Sequence, residues 1–263
     1  MSLRKYGKQD YRVAVIHGGP GAIGSVQPVC EEISEYCGVL EPLLTERTVE
    51  GQLNQILDTL GKNVKGPATL IGHSWGAMLV YIFAARYPEL VRKIILVSSG
   101  PLEEFHADGI HENREARLTA GEQEELERIR LFFSGPRRGN PDRMFARYGA
   151  LMEKADSYAP LELHADDRLF SYEVYSRVWP EVLEMRKRGL LFEMGNSIRC
   201  PVTVIHGDYD SHPAWGIRAP LDKLIPGYKF YCLHNCGHTP WMEKYARARF
   251  YRILRQEIMN GEE

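Results

Sequence analysis

Serine, aspartate and histidine occur in this chain in an order and a setting that suit nucleophilic catalysis. The serine is Ser74, the centre of a G-x-S-x-G pattern that runs from Gly72 to Gly76. A serine hydroxyl is a weak nucleophile at neutral pH and needs an adjacent base, a role for which the pKa of histidine is well placed. A carboxylate then holds the imidazole in the tautomer that accepts the serine proton. These residue types predict acyl transfer through a covalent acyl-enzyme.

The carboxylate and the base each have competing candidates. Asp208 and Asp210 both follow a predicted strand. We favour Asp210, which lies one step further into the loop, and interpret Asp208 as a turn residue. Three of the nine histidines come after this strand, namely His212, His234 and His238. We favour His238 because it follows the last predicted strand beside a flexible glycine and directly precedes the last predicted helix.

The residues around Ser74 predict the turn that would expose its hydroxyl. Residues 68–71 form a short apolar stretch typical of a buried strand, and residues 77–87 form an apolar run that Pro88 ends, as expected for a helix. A serine at such a strand-to-helix turn is lifted above the edge of the sheet. Glycines at positions 72 and 76 remove side chains where the backbone must pass closely.

A tetrahedral intermediate needs two N–H donors for its oxyanion. The amide of Trp75 directly follows the nucleophile, at the predicted start of a helix. The second donor is expected from the glycine-rich loop at residues 17–21, after the first predicted strand. Pro20 has no N–H, so one of the three glycines must supply the donor. We select Gly19, which is the central one.

Strand and helix signals alternate through residues 1–100 and 196–263, which predicts an α/β core with a doubly wound, mostly parallel sheet. Active residues should then lie at the carboxyl ends of the strands. Residues 101–195 lack strand signals and have an acidic excess, so we predict a helical cap inserted between two strands. Predicted strands are 12–16, 39–43, 68–71, 93–98, 202–206 and 229–233, and predicted helices are 26–37, 48–60, 77–87, 141–155, 172–188, 213–224 and 241–258.

Composition narrows the classes of partner and compartment. A net charge of −2 without a basic block argues against nucleic-acid binding. The longest apolar stretch is below transmembrane length, and no secretory leader precedes the first predicted strand. Five cysteines form no disulfide pattern, and the spacing of Cys232, His234, Cys236 and His238 differs from that of a zinc site. We therefore expect a soluble cytoplasmic enzyme without a metal or cofactor, a membrane partner or a nucleic-acid partner.

Four motifs together resemble the α/β-hydrolase superfamily: H-G-G-P-G at 17–21, G-H-S-W-G at 72–76, G-D-Y-D at 207–210 and C-G-H at 236–238. Within the superfamily, H-G-G-P-G and S-W-G are most similar to the proline iminopeptidase group. The resemblance implies the α/β-hydrolase fold with Ser74 as nucleophile, Asp210 and His238 as its partners, and Gly19 and Trp75 as oxyanion donors. The chain departs from that group in having only about a dozen residues before the first predicted strand, which leaves no room for an N-terminal hairpin.

The predicted function is a serine hydrolase that cleaves a small ester or amide, including a short peptide, with an aminopeptidase of the proline iminopeptidase type as the specific hypothesis. Such an enzyme must pair the substrate ammonium, and Glu181 and Glu184, three residues apart on one predicted helix, could do so. The alternatives are a carboxylesterase, a carbon–carbon bond hydrolase and a non-catalytic binding protein of the same fold. The sequence does not indicate the oligomeric state.

Overall fold

The fold is that of a computed structural model, which describes residues 3–136, 139–161 and 168–260. His164, one of the histidines of the acidic segment, lies outside these residues. The strands are β1 Leu3–Tyr6, β2 Tyr11–Ile16, β3 Ala22–Ile23, β4 Gly38–Pro42, β5 Ala68–His73, β6 Val91–Val97, β7 Leu169–Phe170, β8 Val202–Gly207 and β9 Lys229–Leu233. The helices are α1 Gln27–Ile33, α2 Val49–Asn63, α3 Trp75–Arg86, α4 Ile110–Ala116, α5 Ala120–Ser134, α6 Pro141–Asp156, α7 Tyr172–Lys187, α8 Leu190–Met194, α9 Trp215–Leu224 and α10 Arg247–Met259.

Seven strands form one sheet in the order β1-β4-β2-β5-β6-β8-β9. The strand β1 runs antiparallel to β4, and the other neighbouring pairs are parallel. Central strands of such a sheet are covered on both faces, which is why they read as continuous apolar runs in the sequence. The predicted doubly wound, mostly parallel sheet is confirmed.

Helices cover both faces of this sheet. Apolar residues of α2, α3 and α9 pack on one face, and those of α1 and α10 pack on the other. The side chains of β2 alternate between the two cores, with Ala14 and Ile16 in the first and Val13 and Val15 in the second. The helix α3 is apolar on all sides because it lies between the sheet and the outer helices, and it is buried from Trp75 through Ala84.

Helices α4 to α8 come between β6 and β8 in the sequence, where the helical insertion is predicted. A separate small core joins Leu126 and Ile129 of α5 to Leu151 and Met152 of α6. Thr119 begins α5 with a capping box to Glu122. The division of the chain into a core at 1–100 and 196–263 and a cap at 101–195 remains our proposal. Among the described helices, none is long and apolar enough to cross a membrane.

Four local predictions are wrong, including the start of the last helix, which is Arg247 rather than residue 241 because residues 240–242 form a separate 3₁₀ turn. The first strand begins at Leu3 rather than at residue 12, because a half-exposed edge strand lacks the apolar run that marks a central one. The helix α1 ends at Ile33 rather than at residue 37, because the chain turns there to start β4 at Gly38. The acidic segment does contain a strand, since β7 pairs with β3 outside the main sheet.

Candidate active site

Ser74 lies alone between β5 and α3, in the turn that the sequence predicts. Its backbone has φ 54° and ψ −116°, a conformation that is rare for residues other than glycine and that recurs at functional sites. A Cβ atom at position 72 would lie 2.2 Å from the carbonyl oxygen of Gly76, and one at position 76 would lie 2.3 Å from that of Ile16. Glycine at both positions therefore allows the turn to form.

His238 and Asp210 form a buried acid–base pair at the carboxyl ends of β9 and β8. His238 Nδ1 lies 2.7 Å from Asp210 Oδ2, and the two side chains are 12% and 0% exposed. Burial by itself would raise the pKa of Asp210, but the imidazoles of His238 and His212 hold it well below its usual range. Burial likewise opposes protonation of His238, and the charge and hydrogen bond of Asp210 outweigh it and raise the pKa of His238. An ionised Asp210 thus fixes the imidazole with its other nitrogen, Nε2, available as a base.

The competing pair lies on the protein surface. Asp208 Oδ2 is 3.0 Å from His234 Nδ1, and these side chains are 38% and 76% exposed. The cavity that Ser74 and His238 line includes neither of them among its described residues. The structure therefore brings Asp210, and not Asp208, against His238.

His212 is a site residue that the sequence analysis considered only as a competing base. Its main-chain N–H and its Nδ1 both contact Asp210 Oδ1, each at 2.9 Å. The imidazoles of His212 and His238 stack with their centroids 4.6 Å apart. Burial lowers the pKa of His212 to about 4, although the charge of Asp210 opposes this shift. His212 is therefore neutral at pH 7 and donates through Nδ1 to the second oxygen of the shared carboxylate.

The sequence predicts the main-chain amides of Trp75 and Gly19 as oxyanion donors. Trp75 is the first residue of α3, so its amide has no acceptor within the helix. Gly19 lines the same cavity as Ser74 and has φ 115°. Within the described part of the chain, neither amide donates a hydrogen bond to a protein acceptor.

Ser74 and His238 open into a cavity of about 310 Å³, which is the size of a small-molecule site. Part of its wall is apolar and mostly aromatic. This part comprises Ile110, Phe145, Tyr148, Met152, Phe170, Tyr175, Trp179 and Leu183. Charged side chains of the wall are Arg114, Glu153, Asp156, Arg168 and Arg186. Most of these residues belong to α4, α6 and α7, so the predicted insertion covers Ser74.

Glu181 and Glu184 are not brought to this cavity. Glu181 Oε2 accepts a hydrogen bond of 2.9 Å from the amide of Val49, at the first turn of α2. Neither glutamate is among the described residues that line the cavity around Ser74. Glu181 thus caps a neighbouring helix, where a carboxylate is favourable at the positive end of the helix dipole.

Residues of the helical insertion also form hydrogen bonds to the loops that carry Asp210 and His238. Arg117 Nη1 donates to the carbonyl oxygen of Tyr209 at 2.8 Å and to Ser211 Oγ at 3.0 Å, on either side of Asp210. The carbonyl oxygen of Asp156 accepts from the amide of His238 at 2.9 Å. These long-range contacts have no signal in the sequence, because they join residues about 80 to 90 positions apart.

Three side chains near the base carry atoms of the kind that bind metals. Asp156, His212 and His238 place one such atom each within 4.8 Å of one another. Asp156 pairs with the Arg114 guanidinium, and both histidines contact Asp210 through Nδ1. A guanidinium at this position would repel a cation, so the arrangement fits an acid–base site better than a metal site.

Comparison with known proteins gives the family. The family described as "alpha/beta hydrolase fold" matches residues 20–245. Human monoacylglycerol lipase ABHD6 is 25% identical over 219 residues, which cover 82% of this chain and 63% of that protein. This chain therefore spans less than two thirds of the length of the first curated relatives.

Solved structures share the fold at lower identity. A monoacylglycerol lipase of Paleococcus ferrophilus has a TM-score of 0.62 at 15% identity, covering 99% of this chain and 98% of its own. VinJ has a TM-score of 0.71 at 17% identity, covering 98% of this chain and 94% of its own. The sheet, the turn at Ser74 and the family match over most of the chain lead to one conclusion: this protein belongs to the α/β-hydrolase family.

Proposed function

We propose that this protein is a serine hydrolase that cleaves small carboxylic esters through an acyl-enzyme. The observation that carries the proposal is the buried 2.7 Å contact between His238 and Asp210 in the cavity that holds Ser74 at its strained turn. A buried carboxylate that engages a histidine in the same cavity as a serine is the arrangement that activates a nucleophile.

The residues would act in two steps. His238 Nε2 accepts the proton of Ser74 Oγ as the oxygen attacks the ester carbonyl carbon, and the amides of Trp75 and Gly19 bind the resulting oxyanion. The imidazolium then gives its proton to the departing alkoxide, and the acyl group stays on Ser74. In the second step His238 accepts a proton from water, which attacks the acyl-enzyme, and Ser74 regains its proton as the acid leaves.

The cavity favours an ester over a peptide with a free amino terminus. The carboxylates of its described wall are Glu153 and Asp156, and each pairs with an arginine, Arg168 and Arg114 respectively. A substrate ammonium buried here would have no unpaired carboxylate, and an unpaired buried charge is very costly. The apolar, aromatic wall instead suits an acyl chain.

The relatives agree with this preference. The first curated relatives that match are monoacylglycerol lipases, which act on esters, as their names state. Nothing in these comparisons supports the proline iminopeptidase subgroup, so an aminopeptidase is the weaker of the two interpretations. The substrate class we propose is a small ester with an apolar acyl group.

Labelling with a fluorophosphonate probe tests the nucleophile. We expect one modified residue, Ser74, and loss of labelling in Ser74→Ala and in His238→Ala. Ser25→Ala is the matched control, because Ser25 also lines the cavity and its hydroxyl has no hydrogen-bond partner among the described residues. Labelling that survives Ser74→Ala would contradict the assignment of Ser74. A wild-type protein that does not react would contradict the proposal and favour a non-catalytic protein.

A substrate panel tests the class. We expect hydrolysis of p-nitrophenyl esters with butyryl to octanoyl groups, and little hydrolysis of proline p-nitroanilide. Faster cleavage of aminoacyl substrates with a free amine than of their N-acetylated forms would favour the aminopeptidase hypothesis instead. Faster cleavage of a diketone than of any ester would identify a carbon–carbon bond hydrolase.

A further inference from the structure

A buried ion pair from the helical insertion lies beside the proposed base. Arg114 is in α4, and Asp156 is the last residue of α6. Arg114 Nε is 3.0 Å from each carboxylate oxygen of Asp156, and Nη2 is 2.5 Å from Oδ2. The two side chains are 13% and 4% exposed. The geometry is that of a close, multiply hydrogen-bonded guanidinium–carboxylate pair.

The pair is in contact with the acid–base machinery. A carboxylate oxygen of Asp156 lies within 4.8 Å of a ring nitrogen of His238 and of one of His212. Arg114 Nη2 is 3.5 Å from His212 Nε2, and the main-chain carbonyl of Asp156 accepts from the amide of His238. Both charges therefore act on His238 at short range and through little water.

Stability alone is a weak explanation for this pair. Removing two charges from water is costly, and a buried ion pair is often no more stabilising than apolar residues of the same volume. Its place in the wall of the cavity, against the proposed base, points to a role in the reaction.

We propose that Asp156 and Arg114 are positioning residues that set the charge state of His238: the Asp156 carboxylate stabilises the imidazolium, and Arg114 limits that effect by neutralising Asp156. This inference rests on the proposed function of His238. It adds a second carboxylate and a balancing cation, both supplied by the helical insertion, to the residues that the sequence assigns to the site.

The groups that face His238 define its electrostatics. Asp210 and His212 follow β8, His73 is the last residue of β5, and Asp156 and Arg114 come from the insertion. A further carboxylate, that of Glu243, accepts from the amide of Gly237.

Burial lowers the pKa of His73 to about 3 and that of His212 to about 4, so both are neutral at pH 7. Burial also lowers the pKa of His238, whereas Asp210 and then Asp156 raise it and Arg114 opposes them.

The test is the pH profile of kcat/KM with a neutral p-nitrophenyl ester. Activity rises as His238 loses its proton, so the midpoint of the acid limb reports its pKa. Asp156→Asn removes the carboxylate that favours the imidazolium, and we expect the limb to move to lower pH by about one unit. Arg114→Gln leaves Asp156 unopposed, and we expect the limb to move by a similar amount to higher pH.

Shifts of the acid limb in opposite directions in Asp156→Asn and Arg114→Gln separate this role from a structural one. A purely structural role would lower activity in both variants without such opposite shifts. The double variant should return close to the wild-type midpoint. Arg114→Lys keeps the charge and should shift the limb least. The matched control is Arg147→Gln, which breaks an exposed pair with Glu125 elsewhere in the insertion and should leave the profile unchanged.

An NMR titration of the His238 ring in wild type and in Asp156→Asn reads the same quantity without turnover. It therefore separates failure of this inference from failure of the proposed hydrolase activity. If Arg114→Gln does not fold, Asp156→Asn still decides, because its shift has a defined direction. An unchanged His238 titration in folded Asp156→Asn, or shifts of the same sign in the two variants, overturns the inference.

Discussion

Two aspartate–histidine pairs lie a few residues apart in sequence and have different surroundings. Asp208 with His234 and Asp210 with His238 both join the loop after β8 to the loop after β9. The first pair is exposed, whereas Asp210 is fully buried and has a second histidine on its other oxygen. Water screens the first pair, and the low dielectric of the interior strengthens the interactions of the second.

The difference shows what turns a common residue pair into a candidate for catalysis. Helices of the insertion cover the Asp210 pair, and Arg117 and Asp156 hold its two loops. Among the described residues, His234 has a side-chain hydrogen bond to Asp208 and none to the insertion.

His238→Ala should reduce kcat far more than His234→Ala. Loss of the base in a serine hydrolase such as subtilisin lowers kcat by about 10⁶-fold, because an unassisted hydroxyl is barely nucleophilic. His234→Ala should change kcat by less than about twofold, since surface substitutions have small effects. Steady-state kinetics with a p-nitrophenyl ester measures both. A comparable loss in the two variants would remove the distinction between the pairs.

Asp210→Asn should lower kcat by about 10⁴-fold, because an amide cannot hold the imidazole in the required tautomer. Asp208→Asn keeps the side-chain volume in the same way and is the matched control, with a kcat close to that of wild type. The same kinetic assay decides between them, with circular dichroism to establish that both variants fold. A larger loss in Asp208→Asn would reverse the assignment.

Acid should destabilise the protein partly through His212. Burial lowers the pKa of His212 in the folded state to about 4, whereas an unfolded histidine has a pKa of about 6.5. The unfolded state therefore binds more protons than the folded state between pH 4 and pH 6.5. The contribution of neutral His212 to the free energy of unfolding is complete above pH 6.5 and is lost as pH falls towards 4. The contribution is on the order of 3 kcal/mol.

Urea unfolding at several pH values measures this contribution. We expect the free energy of unfolding of His212→Asn to fall less steeply between pH 6.5 and 4 than that of wild type. His234→Asn is the matched control, because it replaces an exposed imidazole in the same way. An equal slope in wild type and His212→Asn would contradict the depressed pKa.

The smallest effect is expected for the stability of the exposed pair. Asp208→Asn should change the free energy of unfolding by less than about 1 kcal/mol, and the change should shrink in high salt, since solvent screens an exposed ion pair. Urea unfolding at low and high ionic strength measures it. A loss of several kcal/mol would show that Asp208 has a structural role that its exposure conceals.

Local sequence signals predicted the sheet and the turn at Ser74 because they depend on near neighbours. The glycines at 72 and 76 and the apolar runs on either side are within a few positions of the serine, and their spacing reports backbone geometry directly. The edge strand β1 was missed for the same reason, since its half-exposed residues carry no strong apolar signal. The pairing of Asp210 with His238 was one of several alternatives that the sequence left open.

Local patterns in the sequence specify an α/β alternation, a serine at a strand-to-helix turn, and a small set of carboxylates and histidines at strand ends. Which of these residues meet depends on the packing of the whole chain. In the folded protein Asp210 lies between His212 and His238, Glu181 caps α2, and Arg114 and Asp156 lie beside His238. The physical reason is that such contacts join residues tens of positions apart, so they depend on how the helices pack and not on any local pattern.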